Sequence, residues 1–122
     1  MKSVSTEKAP KAAGPYSQAI VSGNLVFVSG QLGVDKDGNL GKNIVEQTEN
    51  AINNLSEILR AAGSSLKNVV KTTCFLADIK DFAAFNEMYG KYFTEKPARS
   101  LIQAAALPKG SLVELEAIAE IQ

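Results

Sequence analysis

Histidine is absent from all 122 residues. That removes the commonest general base, every Ser-His or Cys-His nucleophile pair, and any zinc site that needs imidazole. Cys74 is the single cysteine. One thiol makes no intrachain disulfide and no thiolate metal cluster, which agrees with a reducing, cytoplasmic setting. There is no charge excess of either sign, since Lys plus Arg and Asp plus Glu both count 13. A balanced chain has no long-range pull on nucleic acid or on an anionic membrane, and copies of it repel one another weakly. No apolar run reaches membrane-spanning length, and Met1-Lys2-Ser3-Val4-Ser5 does not read as a signal peptide. No phosphate loop or dinucleotide fingerprint occurs. The chemistry left to such a chain must use carboxylates, Tyr, Ser, Lys, Arg, the backbone and water.

The residues that are present suit one domain over 1–122. Residues 17–22 and 24–29 read as strands around Gly23, and Asp35-Lys36-Asp37-Gly38-Asn39 reads as a turn. From Ile44 to Ala62 the apolar residues Ala51, Ile52, Leu55, Ile58 and Leu59 recur at helical spacing. Asn43 with Glu46 forms a start signal for that helix, and Gly63 a stop. Residues 68–77 read as a strand rich in Val and Thr. Asp78 or Asp81 then opens a second helix carrying Phe82, Phe85, Met88, Tyr89 and Tyr92 or Phe93. Strands at 98–106 and 112–121 follow, joined by a turn at Leu107-Pro108-Lys109-Gly110-Ser111. The fold class is α/β (α+β): a mixed sheet with two helices on one face.

The last strand orients that sheet. Val113, Leu115, Ala117, Ala119 and Ile121 form an unbroken apolar side, which should meet the helices. In the strand before it, Ser100, Ile102 and Ala104 look like the set that fits under a helix. That reading puts Arg99, Leu101 and Gln103 on the open side. Leu25-Val26-Phe27-Val28 is apolar on both sides, and Leu101, Leu112 and Ile118 add to an open side too apolar to stay bare, so a second copy of the chain is the expected cover.

Arg99 follows Pro97 in a strand, and its planar fork suits a carboxylate. Either it grips a small carboxylic acid, or it pairs with Glu114 or Glu116 on a neighbouring strand. Glu114 is a candidate proton carrier if its pocket is partly apolar, and otherwise one residue of a solvated face. Tyr16, Ser29, Gly30 and Asn86 are weaker candidates. Each has an ordinary structural alternative: a half-buried ring, a strand end at Ser29-Gly30-Gln31, and a solvent-facing helix residue. Cys74 reads as a small buried apolar residue.

Taken together, Ala13-Gly14-Pro15-Tyr16-Ser17-Gln18-Ala19, Phe27-Val28-Ser29-Gly30-Gln31, Pro97-Ala98-Arg99-Ser100, Leu107-Pro108-Lys109-Gly110 and Glu114-Leu115-Glu116-Ala117 resemble the RidA/YjgF family. Val70-Lys71-Thr72-Thr73 and Asp81-Phe82 through Asn86 fit the same pattern. Each motif is weak alone, but in order they span nearly the whole chain. The resemblance implies a chorismate-mutase-like sandwich in a homotrimer with a cleft at each subunit interface. It implies hydrolysis of 2-imino and enamino acids, such as 2-iminopropanoate and 2-iminobutanoate, to 2-oxo acids and ammonia, without a cofactor or metal. By the same resemblance Arg99 holds the substrate carboxylate and Glu114 stands by the attacking water. Tyr16 then touches substrate or water, and Ser29, Gly30 and Asn86 line the cleft. Some family members carry Cys or a small residue where this chain has Leu101, which narrows or dries the pocket. Two other readings stand beside it: a 2-oxo-acid-binding regulatory trimer without turnover, which Leu101 keeps open, and an endoribonuclease or translation inhibitor, an activity also attributed to family members, which zero net charge and absent histidine disfavour.

Overall fold

The computed structural model describes residues 1–122. Six strands form one sheet: β1 (Lys2–Val4), β2 (Ala19–Ser22), β3 (Leu25–Leu32), β4 (Val69–Leu76), β5 (Ala98–Gln103) and β6 (Val113–Glu120). Two helices, α1 (Ile44–Ala61) and α2 (Phe82–Tyr92), lie on one face. The order across the sheet is β1-β2-β3-β6-β4-β5. Only β4 and β5 are parallel, joined through α2 as a crossover.

Local chemistry sets the element ends. Gly23, at φ 62°, takes the first place of a two-residue hairpin loop that pairs Ser22 with Leu25. The Asn43 side chain accepts the Glu46 backbone N–H at 2.9 Å and starts α1. Glu46 reaches back one residue further than a reciprocal cap, to the Lys42 N–H. At the other end Gly63 stands at φ 85°. Its N–H bonds to the Arg60 carbonyl, and the Ser64 N–H bonds to the Leu59 carbonyl, which closes the helix in a Schellman pattern. Between these ends Ala51, Ile52, Leu55, Ile58 and Leu59 are fully buried, against Val26, Val113, Leu115 and Ala119 of the sheet. The apolar side expected for the last strand is therefore the one that faces the helices.

Three expectations need correction. First, β5 and β6 are not neighbours, because β4 lies between them and β5 is an edge strand. No Arg99–Glu114 or Arg99–Glu116 pair across adjacent strands can form, and the chain's one ion pair is Arg60 with Glu57. Second, the faces of β5 are reversed. Arg99 pairs in register with buried Thr72, Leu101 pairs with buried Cys74, and Leu101 packs on the core beneath the helices. Ser100 and Ile102 face the open side, where Ile102 is 52% exposed. Arg99 can turn toward the helices because a long arginine stem packs well against apolar rings while its head stays wet. Third, Ser29-Gly30-Gln31 does not end a strand. It is a shift in register inside β3, between Val28 and Gln31. The short strand β1, Lys2–Val4, lies outside the strands expected from the residue pattern.

Candidate active site

Two groups of candidate residues form, at separate places. The first is built on β5 and α2. Arg99 is half-buried at the sheet edge, and its Nη1 donates to Asn86 Oδ1 at 2.7 Å. No other hydrogen bond and no carboxylate engages this guanidinium within the chain. Its remaining N–H groups are free for a ligand, and a carboxylate is the group their geometry fits best. Beside it opens a pocket of about 380 Å³ lined by Tyr89, Gly90, Phe93, Lys96 and Pro97 among others, with no acidic residue in its wall. Leu101 lies two residues along on the same side.

The second group is built on the bulge of β3. Glu114 on β6 points to the open face, and its carboxyl lies directly over the α-carbon of Gly30. Any side chain at position 30 would run into that carboxyl. Burial, and after it the charge of Glu116, lifts the Glu114 carboxyl above its ordinary range. A carboxyl shifted that way exchanges protons more readily near neutrality. Ser29 donates its hydroxyl to the Ser17 carbonyl at 2.6 Å, and its N–H bonds to the Gln18 carbonyl. Tyr16 is half exposed. Its phenol oxygen accepts the Ala13 N–H at 3.1 Å, so the phenol proton remains free to donate. Tyr16 and Gly30 border one small pocket together with Lys109.

Arg99 lies in the row of Thr72 and Ala117 on the helix side, whereas Glu114 lies in the row of Phe75 on the open side. A single chain therefore does not bring Arg99 and Glu114 together. Several residues that organise these groups were not legible as such. Gln18 holds the segment before Tyr16 by donating to the Thr6 and Pro10 carbonyls and accepting the Thr6 N–H. The stripe Phe82, Phe85, Tyr89 reads as core at helical spacing, yet all three rings lie within 6.0 Å of the Arg99 guanidinium carbon. Cys74 is buried, with its thiol pushed up to about 11, chiefly by burial, so it is no nucleophile near neutrality. No three His, Cys, Asp or Glu side chains gather into a metal-binding group. No helix is long and apolar enough to cross a membrane.

These features define a class: a small α+β sandwich whose free arginine and half-buried carboxyl sit at its surface, not in a closed cavity. The family model described as Endoribonuclease L-PSP matches residues 6–121. The human 2-iminobutanoate/2-iminopropanoate deaminase is 49% identical over 119 residues, which is 95% of this chain and 87% of the human one. RidA from the Antarctic bacterium Psychrobacter sp. PAMC 21119 superposes with a TM-score of 0.96 at 45% identity, covering 99% of this chain and 100% of its own. Escherichia coli TdcF, crystallised with bound serine, superposes with a TM-score of 0.95 at 38% identity, each chain covered in full at 100%. The chain belongs to the RidA/YjgF family.

Proposed function

We propose that this protein hydrolyses reactive 2-imino and enamino acids, among them 2-iminopropanoate and 2-iminobutanoate, to 2-oxo acids and ammonia. The observation that carries the reading is Arg99, a half-buried guanidinium held by Asn86 on one side and left without a carboxylate. Relatives about as similar as the human enzyme bear that activity in their names, and TdcF was crystallised with an amino acid of matching size.

An imine of a 2-oxo acid is already electrophilic, so orientation and proton transfer are what a protein must supply. Arg99 clamps the substrate carboxylate. Glu114 takes a proton from water as the water oxygen bonds to the C=N carbon. The nitrogen accepts a proton and becomes an amine. When the C–N bond breaks, the C=O bond forms and ammonia departs. Water is the only co-reactant, and each proton taken by Glu114 is returned. Tyr16 and the Gly30 backbone hold substrate or water, Ser29 and Asn86 line the cleft, and Leu101 gives an apolar wall beside the alkyl end.

Since Arg99 and Glu114 emerge on opposite faces of one sheet, a complete site needs groups from two copies. A homotrimer with a cleft at each interface satisfies that need. Phe27, 41% exposed and opposite Ile118 in register, and Ile102 form part of the apolar face such an assembly covers. The buried free thiol suits work in the cytoplasm. The test is ammonia release from 2-iminobutanoate generated in place by a dehydratase or an amino-acid oxidase. The protein should accelerate release well beyond spontaneous hydrolysis. No acceleration at saturating protein would end the deaminase reading.

A further inference from the structure

Arg99 has neighbours that the hydrolysis itself does not use. Its guanidinium carbon lies 4.9 Å from the centre of the Tyr89 ring, with the Phe82 and Phe85 rings at 5.9 and 6.0 Å. A cation over an aromatic face is attracted by the ring quadrupole, most strongly at the closest ring. Tyr89 is itself fixed on several sides. Its hydroxyl and the Thr72 hydroxyl are 2.7 Å apart and share a hydrogen bond in the protein interior. Its ring stacks on Phe93 with centres 4.3 Å apart and leans on Phe85 at 5.4 Å. Thr72 is the residue directly opposite Arg99 in the β4–β5 register. One side chain from α2 thus bridges the two strands under the guanidinium, and Asn86, three residues earlier on the same helix, takes one of its N–H groups.

We propose that Tyr89 is the positioning residue for Arg99: its pinned ring holds the guanidinium over α2 so that its unbonded N–H groups point outward, ready for the carboxylate of a 2-imino or 2-oxo acid. An unheld arginine loses rotamer freedom when it binds a ligand, whereas a held one has lost it on folding. The hold should therefore appear in affinity, in KM and in the Kd of the 2-oxo acid product, with little change in kcat. This rests on the deaminase reading and adds to it a residue that touches no reacting atom.

The experiment compares Tyr89→Phe with a ring-fluorinated phenylalanine at the same position. The two side chains have nearly the same shape, but fluorination strips the negative ring face. Both variants lack the hydroxyl bond to Thr72, so Tyr89→Phe is the reference against which the effect of the ring face alone is read. The fluorinated variant raises KM and the Kd for 2-oxobutanoate about tenfold over Tyr89→Phe, with kcat within about twofold and the same melting temperature. In the ligand-free protein, NMR shows slower exchange between the Arg99 Nη resonances in wild type and Tyr89→Phe than in the fluorinated variant, where Asn86 alone restrains the guanidinium. Unchanged KM and Kd on fluorination, or freely rotating Nη groups in wild type, would overturn the inference. A wild type that binds 2-oxobutanoate but releases no ammonia overturns only the deaminase reading, since Kd and rotation still report the hold. A wild type that binds no 2-oxo acid overturns both.

Discussion

The carboxyl group of Glu114 fills the space that a β-carbon at position 30 would occupy. Gly30 is not at a positive φ, so its backbone asks for no glycine. The reason for a glycine there is the approach of a side chain from the next strand. The atoms in conflict are the far end of a flexible glutamate, which can swing aside cheaply. Gly30→Ala should therefore fold normally, with a stability change under about 1 kcal/mol, while the displaced carboxyl lowers kcat by tenfold or more. Thermal melting and imine hydrolysis on one preparation check both halves. An active Gly30→Ala enzyme would show that the carboxyl need not stand where it does.

The raised Glu114 group gives a pH signature. If it accepts the proton of water, kcat/KM falls in acid with a midpoint above the ordinary carboxylate range. Burial is the larger cause of the shift and Glu116 the smaller. Glu116→Gln should move the midpoint down, by less than the whole shift. The linkage to stability has a definite sign. A folded-state pKa above the unfolded one means that the folded chain binds the proton more tightly. Stability then falls as pH rises from the ordinary carboxylate range through the raised pKa, and levels off above it. Glu114→Gln, which never ionises, should melt higher than wild type near neutrality, with the gap closing in acid. A gap that widens in acid contradicts the direction of the shift.

If Arg99 grips the substrate carboxylate, Arg99→Ala removes a charge-assisted, bidentate contact worth about 2–4 kcal/mol, and kcat/KM should drop on the order of 30- to 1000-fold. Arg99→Lys keeps the charge but loses the fork and should recover only part of that. Spontaneous decay of the imine must be subtracted in both measurements. Hydrolysis by Arg99→Ala at the wild-type rate would remove this residue from the site.

Much of the fold could be read from the chain because its signals are local. The α1 cap at Asn43, its stop at Gly63 and the alternation of β6 each depend on a few adjacent residues. Strand order does not. Nothing near Arg99 in sequence says that β4 passes between β5 and β6, so an ion pair to Glu114 is feasible on the sequence alone. The face of β5 is hidden from the sequence for a related reason. An edge strand under a helix rich in rings can turn an arginine inward, and composition alone favours turning it out. Asn86 showed the same limit: its value comes from a partner 13 residues away, brought close by the crossover. The motifs named the residues Arg99 and Glu114, while only the fold shows that they leave the sheet on opposite sides.

That separation leads to the sharpest test of the assembly. If each site takes Arg99 from one subunit and Glu114 from another, two inactive variants can repair each other. Arg99→Ala protein supplies intact Glu114, and Glu114→Gln protein supplies intact Arg99. Unfolded together and refolded, subunits mix at random, and about a quarter of the interfaces in a cyclic assembly regain both groups. Activity should rise to about that share of wild type, from near zero for either variant refolded alone. Phe27→Asp places a charge on the open apolar face and should abolish the effect along with the assembly, seen as a monomer by light scattering. Assembled mixtures that stay inactive would overturn the shared site, because an interface holding both intact groups would then still lack a working pair.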